Sequence, residues 1–347
     1  MAKSKGKESD HVIRTLQQEL GEGIGGKDFK VPEVGRIPTG IFPLDLAIGG
    51  GIPLNRVSII YGPESSTKTS LLLKIIRAFQ QRKQTVALIE PEYSLDPVWS
   101  GKIGVNLKDL ALFRPDNAEQ AVDVMEAMMY ADDVGLVCLD SIAALVTHNE
   151  IESEAGKQIV AGASLLTGKL VKKIGAAFSS ESKRKHFPTV ILLNQIRNKI
   201  GVMYGDPETM PGGNALRFIS ALTLRLYAKN KLVKEINPDV PVFKEVSGTI
   251  RKAKIPVAGL SFTYDMCILD HSGMKVGDVD AWHTVQSYLK ATGGMVKNDK
   301  GTGWTCYGEK FNTIEQVHER YDMDPIFAEM VNSKLFSEVN KFVPEEK

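Results

Sequence analysis

Four short apolar runs set the frame of this chain: Arg56–Gly62 (RVSIIYG), Thr85–Ile89 (TVALI), Gly135–Leu139 (GLVCL) and Thr189–Leu193 (TVILL). None alternates apolar with polar residues, so each must bury both of its faces. That is the mark of a parallel strand with helices on either side. Helical stretches fall between them, at about Lys68–Arg82 and 118–131. Between about 37 and 270 the pattern is α/β with a mostly parallel central sheet. Each run also hands polar groups to its carboxyl end. The first leads into a Gly-to-Lys loop, the second into Glu90 and Glu92, the third into Asp140 and Ser141, the fourth into Asn194 and Gln195. Ligands of open α/β sheets bind outside those ends, so four sets of groups are aimed at one crevice.

The 347 residues are 43% hydrophobic, enough for a sizeable core. Lys and Arg number 43 against 42 acids, so the net charge of +1 excludes a polycation but not a local basic groove. The three cysteines are scattered, and the histidines lack metal-ligand spacing, which argues against a disulfide framework or a zinc site. With no membrane-length apolar run and no signal-peptide core, the expected partners include no membrane and the expected compartment is a reducing cytoplasm.

Three regions are expected. Residues 1–36 hold a polar start, an amphipathic helix capped at Asp10 (Val12, Ile13, Leu16, Leu20) and a Gly-rich linker. That helix packs either on its own domain or on a neighbouring subunit. Residues 37–270 form the core. Residues 271–347 form a small α+β domain, with helices near 280–291, 313–320 and 324–341 and a turn at Asn298–Gly301.

Gly62–Thr69 reads GPESSTKT, against a phosphate-loop template of G-x-x-x-x-G-K-[ST]. In such a loop, backbone N–H groups, a helix N-terminus and a lysine converge on phosphate. Gly62, Lys68 and Thr69 fit, but Thr67 stands where the second glycine belongs, and a β-branched residue restricts the backbone there. In this reading Pro63, Glu64, Ser65, Ser66, Thr67 and Ser70 surround the nucleotide and Lys68 reaches its terminal phosphates. Thr69 and Asp140 hold Mg²⁺. Glu90 and Glu92 both stand where a water-activating carboxylate is needed, and spacing alone does not choose between them.

The blocks YGPESSTKT, EPEYSLDP, LDSIAAL, EIESEAG, NQIRNKIGVMYGDPET and GGNALRF closely resemble the RecA family of homologous-recombination ATPases. IPTGIFPLDLAIGGGIP, KAKI and GWTCYGEKF extend the resemblance over about residues 37–310. The altered phosphate loop and short, weakly acidic C-terminus suggest a divergent member of phage type. The resemblance implies that Glu92 is the catalytic carboxylate, that Asp96 belongs to the nucleotide site and Trp99 stacks on the adenine, and that Gln195 couples the γ-phosphate to DNA binding. It implies that Lys252 and Lys254 reach a neighbour's ATP across a subunit interface, and that Phe218 links ATP to DNA at that interface.

From Lys157 to Lys199 the chain carries nine basic residues and one acid, Glu181. A charge run is ordinarily a solvated face, but this stretch also holds the segments resembling the family's two DNA-binding loops. The second, about Asn194–Phe218, is read as a long loop without structure of its own. By resemblance Val160 and Ile200 wedge between base triplets, while Lys172, Arg197, Lys199, Gly212, Gly213 and Asn214 meet the DNA backbone. Leu165 stands where the family has an arginine. The expectation is an ATP- and single-stranded-DNA-dependent recombinase that forms a helical filament and exchanges strands with homologous duplex DNA. A ring helicase of the same fold and a filament or mediator protein of low hydrolysis are the rivals.

Overall fold

The computed structural model of the chain describes residues 2–20, 33–148, 162–179, 187–198, 208–233, 239–255, 261–271, 273–298, 301 and 303–340. Helix α1 (Ala2–Leu20) starts eight residues before the expected cap at Asp10. Ala2, the lysines and Glu8 are good helix formers that extend it backwards. Its apolar stripe stays uncovered, with Val12 and Leu16 51% and 41% exposed.

The core begins with β1 (Arg36–Ile37), α2 (Phe42–Ala47) and β2 (Ile52–Pro53), which pairs with β1. Then come β3 (Val57–Gly62), α3 (Lys68–Gln81), β4 (Thr85–Ile89), α4 (Pro97–Ile103), β5 (Leu110–Phe113), α5 (Ala118–Tyr130) and β6 (Val134–Leu139). They are followed by α6 (Gly162–Ser179), β7 (Thr189–Gln195), the short pair β8 (Arg197–Asn198) and β9 (Glu208–Thr209), and α7 (Gly213–Ile219). Strands β10 (Leu222–Lys231), β11 (Phe243–Ala253), β12 (Ser261–Cys267) and β13 (Val279–Asp280) complete the main sheet.

That sheet has nine strands in the order β13-β12-β11-β10-β3-β7-β6-β4-β5. The six from β10 to β5 are parallel, as the apolar runs predict, and β11–β13 add an antiparallel wing. One core lies between the sheet and α2 and α3, around Leu71, Leu72, Ile75, Ile76 and Phe79. The other lies under α5, α6 and α7, around Met125, Leu170, Ile174 and Leu216. Burial on both faces explains why the strands show no alternation.

The remaining elements are α8 (Trp282–Thr292), the hairpin strands β14 (Met295–Lys297), β15 (Trp304–Cys306) and β16 (Glu309–Phe311), then α9 (Ile314–Met323) and α10 (Pro325–Asn340). They enclose a core of their own, with Trp282, Leu289, Cys306, Phe327 and Leu335, against which Phe42 of α2 packs. The turn expected at Asn298 is closed by the Gly301 N–H donating to the Asn298 carbonyl at 2.7 Å.

The stretch read as a structureless second loop is corrected in part. It contains the β8–β9 pair, and Gly212, Gly213 and Asn214 are the cap and first turn of α7. Leu216, fully buried, anchors that helix to the core. Gly212 is required twice over: its φ is +81°, and a Cβ there would lie 2.5 Å from Thr167 Cγ2 on α6.

Candidate functional site

The loop between β3 and α3 packs tightly on the neighbouring strand β10 and on itself. A Cβ on Gly62 would lie 2.2 Å from the Leu226 carbonyl oxygen and 2.6 Å from Ser66 Oγ, so only glycine fits. Ser66 Oγ donates to the Pro63 carbonyl at 2.7 Å. Lys68 Nζ folds over the loop, donating to the carbonyls of Pro63 at 2.6 Å and Gly62 at 3.2 Å. Burial lowers the Lys68 pKa from the usual lysine value, against the pull of Asp140, Glu92 and Glu64. Ser65 and Thr67 both have positive φ, 58° and 65°. Thr67 therefore adopts the left-handed backbone of the glycine it replaces, an unfavourable conformation for a β-branched residue.

Thr69 Oγ1 donates to Asp140 Oδ2 at 2.8 Å, bringing the two expected metal ligands together. Asp140 is pushed up to about 6, chiefly by burial, with the Thr69 hydrogen bond opposing and Glu92 adding to the rise.

The two candidate glutamates have different surroundings. Glu90 is buried; its Oε1 accepts from Ser94 N at 2.7 Å and its Oε2 lies 3.3 Å from Arg114 Nε. Those contacts make it a brace for the loop that follows β4. Glu92 is exposed, and its Oε1 accepts from Ser141 Oγ at 2.7 Å, next to Asp140.

A cleft of about 460 Å³ opens beside the loop, lined by Ser65 to Ser70, Asp96, Trp99, Lys244, Met266 and Ile268. Asp96 caps α4, its Oδ1 accepting from Val98 N at 2.7 Å and Trp99 N at 3.1 Å. The Trp99 indole N–H donates to Ser70 Oγ at 3.2 Å, which fixes the ring at the cleft wall. Three wall residues escape sequence reasoning. Met266 and Ile268 belong to β12 and its continuation, and Lys244 of β11 donates to the Ser65 carbonyl at 2.8 Å. An apolar pair and a lone lysine near 240–270 carry no motif, and only the antiparallel wing brings them to the loop.

Gln195 sits beside Gly62 in the β3–β7 register, and Ile196 N donates to the Gly62 carbonyl at 3.3 Å. Its neighbour Asn194 donates through Nδ2 to the Pro211 carbonyl at 2.8 Å, next to Gly212. The strand end at the phosphate loop is thus tied to the start of α7.

Lys252 and Lys254 lie at the other end of the sheet. Lys254 N donates to the Ala221 carbonyl, and Ala221 N to that of Val57, so Lys254 is level with the start of β3. The phosphate loop leaves β3 five residues later, roughly 16 Å along the strand. The side chains turn to α7 instead: Lys252 donates to the Arg217 carbonyl, and Lys254 to that of Phe218 at 2.7 Å. Burial lowers the Lys252 pKa from the usual value, with Lys254 and Arg217 adding to the effect. Phe218 itself is 75% exposed.

Of the expected DNA contacts, Val160, Lys199 and Ile200 lie outside the described residues, and Arg197 is placed on β8 by its backbone. Lys172 and Asn214 are exposed, as is Leu165. Within the basic stretch, Lys173 pairs with Asp123 at 2.8 Å and Glu126 at 2.6 Å on α5.

The RecA N-terminal domain family matches residues 8–262. The chain is 37% identical to Protein RecA of Thermus aquaticus, over 99% of this chain and 97% of that protein. It is 36% identical to Protein RecA of a Methylobacterium species, over 80% of this chain and 76% of the relative. Among solved structures, that of the RadB recombinase aligns with a TM-score of 0.46 at 21% identity, covering 66% of this chain and 96% of that one.

Proposed function

The chain belongs to the RecA family, and from that premise we propose that this recombinase of DNA recombination and repair works as an ATP- and single-stranded-DNA-dependent filament. One observation carries the reading. Lys68, Thr69, Asp140 and Glu92 converge at the carboxyl ends of the strands, while Lys252, Lys254 and Phe218 stand at the opposite end, unable to serve their own crevice. A head-to-tail contact that presents one subunit's lysines to the next subunit's crevice, without closing, generates a helix.

The crevice fits a Mg²⁺-bound nucleoside triphosphate: a cradle that only glycine allows at Gly62, an ammonium above it, and a hydroxyl–carboxylate pair of oxygen donors. Mg²⁺ would be held by Thr69 and Asp140 and supplies charge neutralisation at the phosphates. Lys68 exchanges its loop carbonyls for phosphate oxygens. Ser141 fixes Glu92 through Oε1, which leaves Oε2 to take a proton from the attacking water as the terminal phosphoanhydride breaks to ADP and phosphate. Trp99 stacks on the adenine, and Asp96 lines the nucleotide site as the cap of α4. Lys252 and Lys254 of the adjoining subunit stabilise the charge that develops. Gln195, through Asn194 and Pro211, passes the state of the crevice to α7 and the DNA-contacting segment.

Val160, Lys172, Arg197, Lys199, Ile200, Gly212, Gly213 and Asn214 are the proposed contacts to single-stranded DNA. The homologous duplex is read by base pairing, not by side chains. Helix α1, with its uncovered stripe, is the proposed subunit-packing element, and residues 271–347 the proposed collector of duplex DNA.

Electron microscopy with ATP and single-stranded DNA tests the assembly: an open filament is expected, and a closed ring would favour the helicase reading. Strand exchange between circular single strands and linear duplex tests the activity. Lys68→Ala should abolish it, and retention would refute the site. Thr67, strained where glycine is expected, favours slow turnover as a second reading.

A further inference from the structure

The strained loop position lies beside a buried feature that the proposed mechanism does not use. Tyr264 on β12 is 3% exposed, stacked parallel to Phe262 with ring centroids 6.3 Å apart. Tyr264 and Met266 share one face of β12, in the core that also holds α2 and α3, and Met266 lines the cleft beside Thr67. The Tyr264 hydroxyl is wholly buried and has no hydrogen-bond partner. Within the phosphate loop, the Thr67 hydroxyl is buried and unpartnered as well. Two orphaned hydroxyls on neighbouring elements form an unstable arrangement, since each carries the cost of desolvation without a bond in return.

We infer that Tyr264 is a positioning residue of the nucleotide site, pairing with the hydroxyl of Thr67 to hold the phosphate loop in the left-handed conformation that a glycine would adopt unaided. Burial pushes the Tyr264 phenol up, and the nearby Thr67 hydroxyl opposes the rise, while the two stop short of a hydrogen bond. A rotation of either side chain converts that approach into a hydrogen bond. The phenol then donates to Thr67 Oγ1, and the bond offsets the strain at φ 65°. The chemistry is particular to this pair. Thr67 supplies a hydroxyl that glycine lacks, and the antiparallel wing supplies the one buried, unpartnered phenol among the described residues. Tyr264 acts through the loop and touches no phosphate.

The inference rests on the nucleotide reading of this loop, and a double-mutant cycle separates the two. Wild type, Tyr264→Phe, Thr67→Gly and the double variant are compared for affinity to a ribose-labelled fluorescent ATP analogue with Mg²⁺, and for thermal unfolding without nucleotide. Tyr264→Phe should weaken binding about tenfold in the wild-type background and less than about twofold in the Thr67→Gly background. The unfolding midpoint should show the same non-additivity. In turnover assays KM should rise with kcat nearly unchanged, since loop placement is felt alike in ground and transition states. If the phenol has no partner, its removal is neutral or stabilising; that result overturns the inference, as does an equal loss in both backgrounds.

Should Tyr264→Phe not fold, Thr67→Val and Thr67→Ser decide the matter. Serine keeps the hydroxyl and should hold affinity within about twofold, while valine, similar in shape, should lose about tenfold. Equal behaviour of the two refutes the pair. If the wild type binds no analogue at all, the nucleotide reading fails, and the unfolding cycle alone still tests the Tyr264–Thr67 contact.

Discussion

At the carboxyl ends of β3, β4 and β6 the reactive groups already touch within one chain: Thr69 bonds Asp140, Ser141 bonds Glu92, and Lys68 is held over its loop. At the opposite end of the same sheet, Lys252 and Lys254 rest on the last carbonyls of α7, beside an exposed Phe218. The first end brings its groups together within one chain. The second carries charge beside an exposed aromatic ring, which the proposed reading assigns to a neighbouring subunit. On the proposed reading, the contrast separates binding, built by folding, from catalysis, built by assembly.

The strongest way to break that contrast is at the two glutamates. Glu92→Gln should lower ATP turnover by about a hundred- to ten-thousandfold with the unfolding midpoint unchanged, because Glu92 is exposed and bonded only through one oxygen. Glu90→Gln should do the reverse: a loss of about 1–3 kcal/mol in stability, since it removes the charge that faces Arg114, with a far smaller effect on turnover. Steady-state kinetics beside urea unfolding separates them, and equal kinetic losses would mean that the crevice is misassigned.

The assembly half is tested by mixing. Subunits carrying Lys252→Ala and Lys254→Ala should be nearly inactive, as should Glu92→Gln subunits. An equal mixture should recover roughly a quarter of wild-type turnover, the fraction of heterologous interfaces that join an intact glutamate to intact lysines. No recovery would place both ends of the sheet in the service of one chain, which the register of β3 and β10 opposes.

The folded half also predicts a pH effect. Burial pushes the Asp140 carboxyl up to about 6, against about 3.9 in an unfolded chain. The fold therefore holds a proton there that the unfolded chain has released. The stabilisation is full below about pH 4 and is lost as pH rises through about 6. Asp45, pushed up to about 7 by burial, acts in the same direction slightly higher. Asp140→Asn should flatten the dependence of stability on pH between about 4 and 6 by roughly 1–3 kcal/mol, read by urea unfolding at several pH values. An unchanged slope would show that Asp140 titrates normally.

How much of this was legible beforehand follows from what each element needs. The parallel strands were legible because burial on two faces leaves an unbroken apolar run, and Thr69 and Asp140 because a loop motif and a strand end carry their own spacing. Glu90 and Glu92 were not separable without coordinates, since the difference lies in Arg114 and Ser141, distant in sequence. The pairing of Lys173 was not legible because Asp123 and Glu126 approach it only once α5 packs on α6. Tyr264 and Lys244 were invisible, because the antiparallel wing folds back on the loop from nearly 200 residues away.

The smallest expected effect sharpens the boundary between the two halves. Lys244 lies on β11, the strand that carries Lys252 and leads into Lys254, yet it faces the crevice of its own chain through the Ser65 carbonyl at 2.8 Å. One strand thus sends cations to both ends of the sheet, one inward and two outward. Ser65 has a φ of 58°, and the lysine's hydrogen bond helps to keep its carbonyl in place. The bond is solvent-exposed, so its net worth is that of a charge-assisted contact reduced by water. Lys244→Ala should therefore weaken nucleotide binding only about two- to fivefold, and equally in dilute subunits and in filaments, because no neighbour is involved. Titration of a fluorescent ATP analogue at low and high protein concentration checks this. A loss that grows with assembly would move Lys244 to the interface side and place the whole of β11 there with it.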